Sequence, residues 1–356
     1  GIDPERIEDV VLGCALTEGA TGFNTARQSA LRGGLPTSVA GMTVDRQCAS
    51  GLMAVSIAAK QVLVDGMDIV VGGGVESISL VQNDHANRHR ARDPWFAEHV
   101  SSMYVSMLET AEVVAERYGI TRAVQDEYAL ISQQRTAEAQ AAGRFDAEIV
   151  PLRTQRLVTG EDGVKRLESV LLRTDEGNRP ATTLEALAKL RPVLAEGSVA
   201  GRPSVTAGNS SQLSDGAAAL VVMEARAAER EGLAPLGRYI GAAVAGCGPE
   251  EMGIGPIYSI PRLLRRHGLS VDDIGLWELN EAFASQVVAI RDHQDIDPDR
   301  LNVNGGAISV GHPYGMTGAR QVGHALLEGR RRGVRYIVVT MCVGGGMGAS
   351  ALFEIL

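Results

Sequence analysis

The chain of 356 residues has little lysine, few aromatic side chains and few cysteines. Only three lysines occur, Lys60, Lys165 and Lys189, so arginine carries most of the positive charge. The net charge of −9 is the wrong sign for a nucleic-acid surface, so we predict no nucleic-acid partner. We count no apolar run of the roughly 18 residues that cross a bilayer, so the sequence predicts no membrane partner.

The four cysteines have no Cys-x-x-Cys spacing, the pattern typical of zinc and redox sites. The sequence therefore predicts no metal site, and it predicts free thiols in a reducing compartment, the cytoplasm. Glycine is abundant instead, with 42 residues, while aromatic residues make up only 4%. This combination predicts an α/β protein with many close backbone approaches and a large core, in one large or two medium domains.

The two ends of the sequence resemble each other. Residues 1–7 align with residues 268–274 at an offset of 267 (268 minus 1), and Asp68–Gly74 aligns with Tyr336–Thr340 at an offset of 268 (336 minus 68). Each half has the pattern strand, helix, strand, which predicts βαβ units and a largely parallel sheet. The sequence therefore predicts two duplicated βαβ-type halves.

The second half has additional structure ahead of its repeat. A strand pattern, Gly237–Val244, and a helix pattern, Ile260–His267, precede Gly268, whereas nothing precedes Gly1. Judged against its twin, the first half lacks a strand and a helix. We expect the absent strand to be a central strand of the first sheet.

Residues 82–204 interrupt the repeat with a polar, arginine-rich stretch. It contains two helix patterns, Ser106–Arg117 and Thr121–Ala142, and a turn-rich segment, Thr154–Pro180. We interpret it as an inserted lid over the active site; a separate domain is the alternative, although no linker-like composition sets it apart. The predicted organisation is an N-terminal half of residues 1–81 plus 205–226, an insert of residues 82–204, and a C-terminal half of residues 227–356.

Cys48 stands in Arg46-Gln47-Cys48-Ala49-Ser50-Gly51, at the start of an apolar helix pattern, Ala49–Val64. A cysteine at a helix N-terminus feels the partial positive charge of unpaired N–H groups. We therefore expect a lowered pKa and a nucleophilic thiolate at Cys48. A buried, inert cysteine is the simpler interpretation, and this motif alone leaves it open.

His312 lies in a glycine-rich stretch, Asn302–Gly315, which must turn tightly. A histidine there can act as the base for Cys48, and a structural histidine is the alternative. Asn280, in Asn280-Glu281-Ala282-Phe283, ends a strand pattern, where open parallel sheets place their sites. Asn280 can equally cap the helix that follows.

Cys342 follows the strand pattern Tyr336–Thr340 and precedes Val343-Gly344-Gly345-Gly346. Backbone N–H groups of glycines after a strand can bind an anion, as a phosphate cradle or as an oxyanion hole. The stretch is not a P-loop, because no Lys-Ser/Thr pair follows the glycines.

Together these motifs resemble the thiolase family, acetyl-CoA acetyltransferases and 3-ketoacyl-CoA thiolases, over Ile2–Leu356. The resemblance implies a layered α/β/α/β/α fold whose insert binds coenzyme A. It implies reversible CoA-dependent acyl transfer with no metal or tightly bound cofactor, in a homodimer or homotetramer. The motifs that carry it are Cys48-Ala49-Ser50-Gly51, Asn280-Glu281-Ala282-Phe283, Gly305-Gly306-Ala307 with Gly311-His312-Pro313, and Cys342-Val343-Gly344-Gly345-Gly346.

The resemblance also implies a role for each matched residue. Cys48 is the implied nucleophile, His312 its base, and Cys342 the acid/base at the methyl carbon of acetyl-CoA. Asn280 is implied to hold a water that forms one oxyanion hole with His312, and the N–H groups of Cys48 and Gly344 form the second. Substrate or CoA contacts are implied for Arg179, Ser211, Ala207, Met107, Met252, Ala282, Phe283 and Leu194.

Two departures from the family pattern bear on the substrate. Tyr314 and Met316 stand where many biosynthetic members carry Ile and Ala, and Leu194 stands where some members carry Phe. The sequence therefore leaves open acetoacetyl-CoA or a longer 3-ketoacyl-CoA. A ketosynthase that acts on an acyl-carrier protein is disfavoured by Cys342, and a non-catalytic CoA- or lipid-binding relative is disfavoured because both cysteines and the histidine are present.

Overall fold

The computed structural model describes residues 1–197 and 201–356, and in this part of the chain ten strands and twelve α-helices form a layered α/β fold. The strands are β1 Asp9–Gly13, β2 Met42–Val44, β3 Ile69–Ser77, β4 Leu152–Thr159, β5 Lys165–Leu172, β6 Asp215–Met223, β7 Gly237–Gly246, β8 Ile274–Leu279, β9 Tyr336–Val343 and β10 Met347–Ile355. The helices are α1 Thr25–Arg32, α2 Ser50–Lys60, α3 Ile78–Val81, α4 Pro94–His99, α5 Met107–Arg117, α6 Arg122–Ala141, α7 Leu184–Ala188, α8 Ala225–Arg230, α9 Pro256–His267, α10 Ala284–Gln294, α11 Ala307–Val310 and α12 Tyr314–Arg332.

Two four-stranded sheets repeat one arrangement. The first has the order β2-β1-β3-β6 and the second the order β7-β10-β9-β8. β1 and β3 are parallel and β6 runs antiparallel to β3, just as β8 and β9 are parallel and β10 runs antiparallel to β9. A parallel bridge from Trp277 to Leu301 even repeats the pairing of Val11 with Met42. The predicted duplication is confirmed.

The strand that precedes the repeat in the second half does not lie in the centre of its sheet. In the second sheet, the strand without a twin is β7, which lies at the edge beside β10. The equivalent place in the first sheet is the outer side of β6, so the expectation of a central strand was wrong. β6 shows alternating exposure, with Val221 49% exposed, because one face of the strand packs on the fold and the other does not; among the described residues, no strand pairs with its outer edge.

The side chains of β1 show how the layers form. Val10 and Leu12 pack with α1 on one face of the first sheet, whereas Val11 packs with α2 on the other. Successive residues of a strand point to opposite faces, so one apolar strand can fill two layers. α2 and α12 lie between the two sheets, and α9 and α10 cover the far side of the second. The layered α/β/α/β/α core is therefore confirmed.

The two central helices touch through their backbones. A β-carbon on Gly51 of α2 would lie 2.5 Å from the carbonyl oxygen of Gly315 in α12. One on Gly318 would lie 2.5 Å from the backbone nitrogen of Leu52. Only glycine permits this approach, and it brings the first turns of α2 and α12 together.

Gln47–Asp65, which contains α2, is long and apolar enough to cross a membrane by length and composition. It contains no long uninterrupted apolar run, because Ser50, Gly51, Ser56, Lys60 and Gln61 interrupt it without making the average hydropathy polar. Half of that window is buried inside the fold, and the core helix of a globular protein passes the same test.

The insert contains the two predicted helices. Ser106 caps α5, accepting from the Glu109 N–H while the Glu109 carboxylate accepts from the Ser106 N–H. The turn-rich segment differs from its prediction, since β4 and β5 form an antiparallel hairpin there. The hairpin was hard to foresee because most of its residues are exposed, so its strands lack a core-facing alternation.

Candidate active site

Cys48 is presented by a strained turn. It lies in the 3-10 turn Gln47–Ala49 that leads into α2, and its thiol is half-buried. Gln47 has a φ of 46°, in the left-handed region that residues with a β-carbon rarely adopt. Hydrogen bonds hold this turn, from Gln47 N–H to Asp45 Oδ1 at 2.6 Å and from Ser50 Oγ to the Gln47 carbonyl at 2.6 Å.

Some groups around Cys48 raise the pKa of its thiol, and others lower it. The net effect raises the pKa of Cys48 to about 11, chiefly through burial, with a smaller contribution in the same direction from the carboxylates of Glu76 and Asp45. The N–H groups of Gly344 and of Cys48 itself are directed at the sulfur and lower the pKa. The predicted lowering of this pKa was therefore wrong: the donors are present, but burial outweighs them. Cys48 rests as a thiol and needs a base.

His312 is a buried imidazole whose hydrogen bonds indicate its tautomer. Thr317 Oγ1 lies 2.7 Å from Nδ1 and donates to the Pro313 carbonyl at 2.9 Å. Since a hydroxyl has one proton, Thr317 must accept from Nδ1–H, and the lone pair is assigned to Nε2. Burial, assisted by Arg320, lowers the pKa of His312 to about 3. His312 is thus a neutral imidazole with its basic nitrogen at Nε2.

Asn280 contacts this basic nitrogen. Its Nδ2 lies 3.2 Å from His312 Nε2, and its backbone N–H donates to the Thr340 carbonyl at 2.9 Å. Asn280 does not cap α10, which begins at Ala284 after Phe283 with no side-chain capping bond. The buried Asn280 Oδ1 has no hydrogen-bond partner among the described residues, so it is available to a ligand or a water.

Cys342 lies within β9, which continues to Val343, and not after the strand as its sequence pattern suggested. Its side chain is fully buried, and burial raises the pKa of the thiol well above its usual range. Three of the predicted substrate contacts share a buried apolar cluster with Cys342, namely Met252, Ala282 and Phe283, together with Ala111 and Val205.

The glycine loop after β9 turns back toward Cys48. Gly345 and Gly346 have φ values of 84° and 83°, and a β-carbon on Gly346 would lie 2.5 Å from the carbonyl oxygen of Cys247. The β-position of Gly344 is 3.6 Å from the Gln47 side chain. The two cysteine-bearing turns therefore pack against each other, and glycine is required for the tight return.

The insert covers this loop. Met103 of the turn Ser101–Tyr104 has its methyl carbon 3.6 Å from the β-position of Gly345. The insert is also anchored beside Asn280, because Tyr128 and Ser132 of α6 each donate to the Glu281 carboxylate at 2.7 Å. The insert therefore lies over the glycine loop, and its role as a lid stays a prediction.

The remaining predicted contacts are spread around the site. Ser211 N–H donates to the Ala282 carbonyl at 2.9 Å, which ties it to the wall beside Cys342. Met107 is 38% exposed, and its neighbour Leu108 packs on the apolar cluster instead. Arg179 and Ala207 are exposed, and Leu194 is half-buried. The roles of these residues stay predictions.

The sequence did not predict a role in the site for four residues: Gln47, Met103, Gln286 and Thr317. Thr317 follows His312 by five residues, in the first turn of α12, and that spacing was the available signal. Gln47, Met103 and Gln286 act through contacts between distant segments, which no local pattern reveals.

Two thiols, a neutral imidazole and inward-facing N–H groups form a site for acyl transfer. Within residues 1–197 and 201–356, no group of three or more His, Cys, Asp or Glu side chains is arranged to hold a metal ion.

Comparison with known proteins agrees with this geometry. The thiolase N-terminal domain matches residues 1–226, and the thiolase C-terminal domain matches residues 233–355. The 3-ketoacyl-CoA thiolase of Bacillus subtilis (strain 168) is 45% identical over 98% of this chain and 88% of its own length.

Solved structures give the same result. The Bacillus anthracis acetyl-CoA acetyltransferase superposes with a TM-score of 0.86 at 37% identity, covering 100% of this chain and 89% of its own. Human mitochondrial 3-ketoacyl-CoA thiolase in complex with CoA superposes with a TM-score of 0.85 at 35% identity, covering 100% and 88%. This chain belongs to the thiolase family.

Proposed function

We propose that this thiolase acts mainly in the degradative direction, cleaving 3-ketoacyl-CoA with free CoA through an acyl-Cys48 intermediate. The convergence of Cys48, the neutral His312 and Cys342 at the ends of α2, α12 and β9 carries the proposal. A non-catalytic CoA-binding relative is disfavoured by the same convergence, since binding alone needs neither thiol.

In the first step, His312 Nε2 takes the Cys48 proton and the thiolate attacks the keto carbon. The bond between that carbon and the adjacent CH₂ breaks, and its electron pair remains on the CH₂ carbon of acetyl-CoA as an enolate. The Cys342 thiol protonates that carbon, and acetyl-CoA leaves. The N–H groups of Cys48 and Gly344, and Asn280 with His312, are the proposed donors to the two developing oxyanions.

In the second step, the thiol of CoA attacks the thioester carbonyl on Cys48. The Cys342 thiolate takes the proton of the CoA thiol, and Cys48 leaves as a thiolate that His312 reprotonates. Both cysteines and the imidazole thereby return to their starting states. A site covered by the insert protects the thioester from hydrolysis.

Substrates longer than acetoacetyl-CoA are favoured by two observations. Met252, Ala282 and Phe283 form an apolar wall around Cys342, and the Bacillus subtilis relative is a 3-ketoacyl-CoA thiolase. A biosynthetic acetyl-CoA acetyltransferase is the second candidate, favoured by the likeness to the Bacillus anthracis structure. Arg179, Ser211, Ala207, Met107 and Leu194 are the proposed further contacts to CoA or the acyl chain.

Thiolysis rates with 3-ketoacyl-CoA substrates from C4 to C16, followed by loss of the enolate absorbance, test the proposal. We expect kcat/KM to rise beyond C4. Activity confined to C4 would instead indicate the biosynthetic enzyme, and no thiolysis with any chain length would indicate a non-catalytic relative.

We also propose that the protein assembles as a homodimer or homotetramer in the cytoplasm. Leu157 and Leu167, which pair across the β4–β5 hairpin and share one of its faces, are 59% and 63% exposed, an apolar surface suited to a second copy. All four cysteines are free thiols, as expected in a reducing compartment. Light scattering after size exclusion, comparing the protein with a Leu157→Ser/Leu167→Ser variant, tests the assembly: a mass unchanged by the substitutions would exclude the hairpin as the contact.

A further inference from the structure

Gln286 is a fully buried amide in direct contact with the Cys342 thiol. It lies on α10, and its Oε1 is 3.5 Å from Cys342 Sγ. The same oxygen accepts from Ala282 N–H at 3.2 Å. A β-carbon built on Gly253 would lie 3.0 Å from the Gln286 Cβ, so the backbone at Gly253, next to Met252, packs tightly on the Gln286 side chain.

The Ala282 N–H fixes which end of the amide faces Cys342. Only the oxygen of a glutamine side chain can accept that hydrogen bond, so the nitrogen cannot occupy this place. The oxygen has no proton, and the Cys342 thiol must therefore be the donor of the contact. The Nε2 of Gln286 is buried with no partner among the described residues, so no competing bond on that side turns the amide.

We propose that Gln286 is a positioning residue that accepts the hydrogen bond of the Cys342 thiol and so keeps Cys342 protonated until an enolate needs its proton. This inference rests on the proposed function, in which Cys342 is the acid of carbon–carbon cleavage. An acceptor bonded to the neutral form of an acid favours that form. The fixed amide thus prepares Cys342 for the thiolysis direction.

The rest of the surroundings agrees with a protonated thiol. Burial and the thiols of Cys48 and Cys247 raise the pKa of Cys342, while its own backbone N–H lowers it to a smaller extent. His312 is neutral in this state and brings no positive charge to the site. No cation therefore stabilises a Cys342 thiolate among the described groups that act on it.

Carboxylates on the elements packed around Cys342 form hydrogen bonds or ion pairs with other groups. Glu112 of α5 accepts from the N–H groups of Ser204 and Val205 at 2.8 Å each. Glu251, beside Met252, pairs with Arg117 at 3.0 Å. Among the described residues, the Gln286 amide is the side chain that hydrogen-bonds the Cys342 thiol, and a change there should alter the titration of Cys342 directly.

The Cys342 thiol loses its proton and regains one during each turnover. Cys342 S–H gives its proton to the CH₂ carbon of the departing acetyl-CoA enolate, and the sulfur becomes a thiolate facing the Gln286 oxygen. Because that contact is unfavourable, the thiolate readily takes the proton of the incoming CoA thiol. The hydrogen bond to Gln286 then forms again, and no other reactant is needed.

Exchange of the methyl protons of acetyl-CoA in D₂O, followed by NMR against pH, measures Cys342 as a base. We expect Gln286→Met to lower the plateau rate about five- to ten-fold, the factor for one lost hydrogen bond. Loss of the acceptor should also lower the pKa of Cys342. The pH range over which the exchange rate rises should therefore move to lower pH. Gln286→Glu keeps the acceptor and shape but adds negative charge, so in that variant this range should move to higher pH.

Gln294→Met is the matched control, because Gln294 lies on the same helix and donates to the Ile257 carbonyl at 3.0 Å. It should leave exchange and its pH profile unchanged. The rate of Cys48 alkylation by iodoacetamide, mapped by peptide mass, should be the same in all variants, since Gln286 does not contact Cys48.

Opposite shifts of the pH profile would support the inference, and unshifted profiles in folded Gln286 variants would overturn it. If Gln286→Met does not fold, the isosteric Gln286→Glu carries the test alone, and an unshifted pH range there overturns the inference. A wild-type protein that neither exchanges these protons nor cleaves 3-ketoacyl-CoA would instead disprove the proposed function.

Discussion

The two halves of the chain share an architecture, yet they contribute different groups to the site. α2 and α12 occupy equivalent places, and each is preceded by one reactive side chain, Cys48 two residues before Ser50 and His312 two residues before Tyr314. Duplication has thereby brought two helix N-termini together through Gly51 and its partners.

The strand ends differ more sharply. At the offset of 268 residues, Gly74 of β3 corresponds to Cys342 of β9. A β-carbon on Gly74 would lie 2.0 Å from the carbonyl oxygen of Gly315, because the first turn of α12 fills that place. At Cys342 the equivalent place is the apolar cluster of the site. In this nearly symmetric pair, a helix turn fills one place, and the apolar cluster that contains the reactive thiol fills the other.

Removing the one reactive residue of the first half tests whether both halves are needed. We expect Cys48→Ala to lower thiolysis by roughly 10³-fold or more, because no other group can form the thioester. Mass spectrometry should show no acyl-enzyme. Cys247→Ala, which removes a half-buried thiol outside the proposed mechanism, is the control and should keep most activity. Acylation that persists without Cys48 would place the nucleophile elsewhere.

Adding a methyl group at Gly74, where the first turn of α12 fills the space, tests the difference between the two strand ends directly. Gly74→Ala should destabilise the fold by about 1–3 kcal/mol through overpacking, and it should lower kcat by moving the α12 turn that follows His312. Urea unfolding and steady-state kinetics measure both. Gly323→Ala is the control, because its β-position has no neighbour closer than 3.8 Å and α12 should gain helix propensity. A Gly74→Ala protein of normal stability would show that the close approach is not required.

The histidine at the start of α12 depends on Thr317, and α2 has no equivalent device for Cys48. Thr317→Val keeps the shape but removes the hydroxyl that orients His312 Nδ1–H, so we expect kcat to fall about ten-fold. Cys48 alkylation near neutral pH should slow in parallel. Thr110→Val removes a similar buried hydroxyl, which donates to the Met107 carbonyl at 2.7 Å, and should change neither rate. Equal rates in the two variants would disprove the role of Thr317.

The C-terminal ends of α2 and α12 differ in charge. Both lead to a left-handed glycine, Gly66 after α2 and Gly333 after α12, but only α12 has a paired carboxylate there. Glu328 accepts from Arg331 Nε at 2.7 Å and Arg332 Nε at 2.9 Å, and these bonds lower its pKa to about 2 against the burial of the group.

Because the folded-state pKa of Glu328 is depressed, its stabilisation is present above the unfolded pKa near 4.5 and is lost as pH falls toward 2. We expect Glu328→Gln to cost only about 1 kcal/mol at pH 7, since solvent screens the partly exposed partners. Urea unfolding at pH 7 and pH 3 should show this difference shrinking with acid. A difference that is equal at both pH values would contradict the ion-pair explanation.

Much of the fold was predictable because its signals are local. Apolar periodicity located α2, α5, α6, β3 and β9, and the repeat of the Asp68–Gly74 pattern near Tyr336 revealed the duplication. The β4–β5 hairpin was missed because it has no buried face. The edge place of β7 was missed because strand order depends on pairing between distant segments.

The sequence by itself determined the reactive residue types and their motifs: cysteine before one helix, histidine before its twin, and cysteine before a glycine run. Tertiary structure decided their states. Burial made His312 neutral and raised the Cys48 pKa against the helix effect, and contacts across the chain placed Thr317 and Gln286 behind the reacting groups. The physical reason is that desolvation and hydrogen bonding depend on what packs around a group, and those neighbours lie far away in sequence.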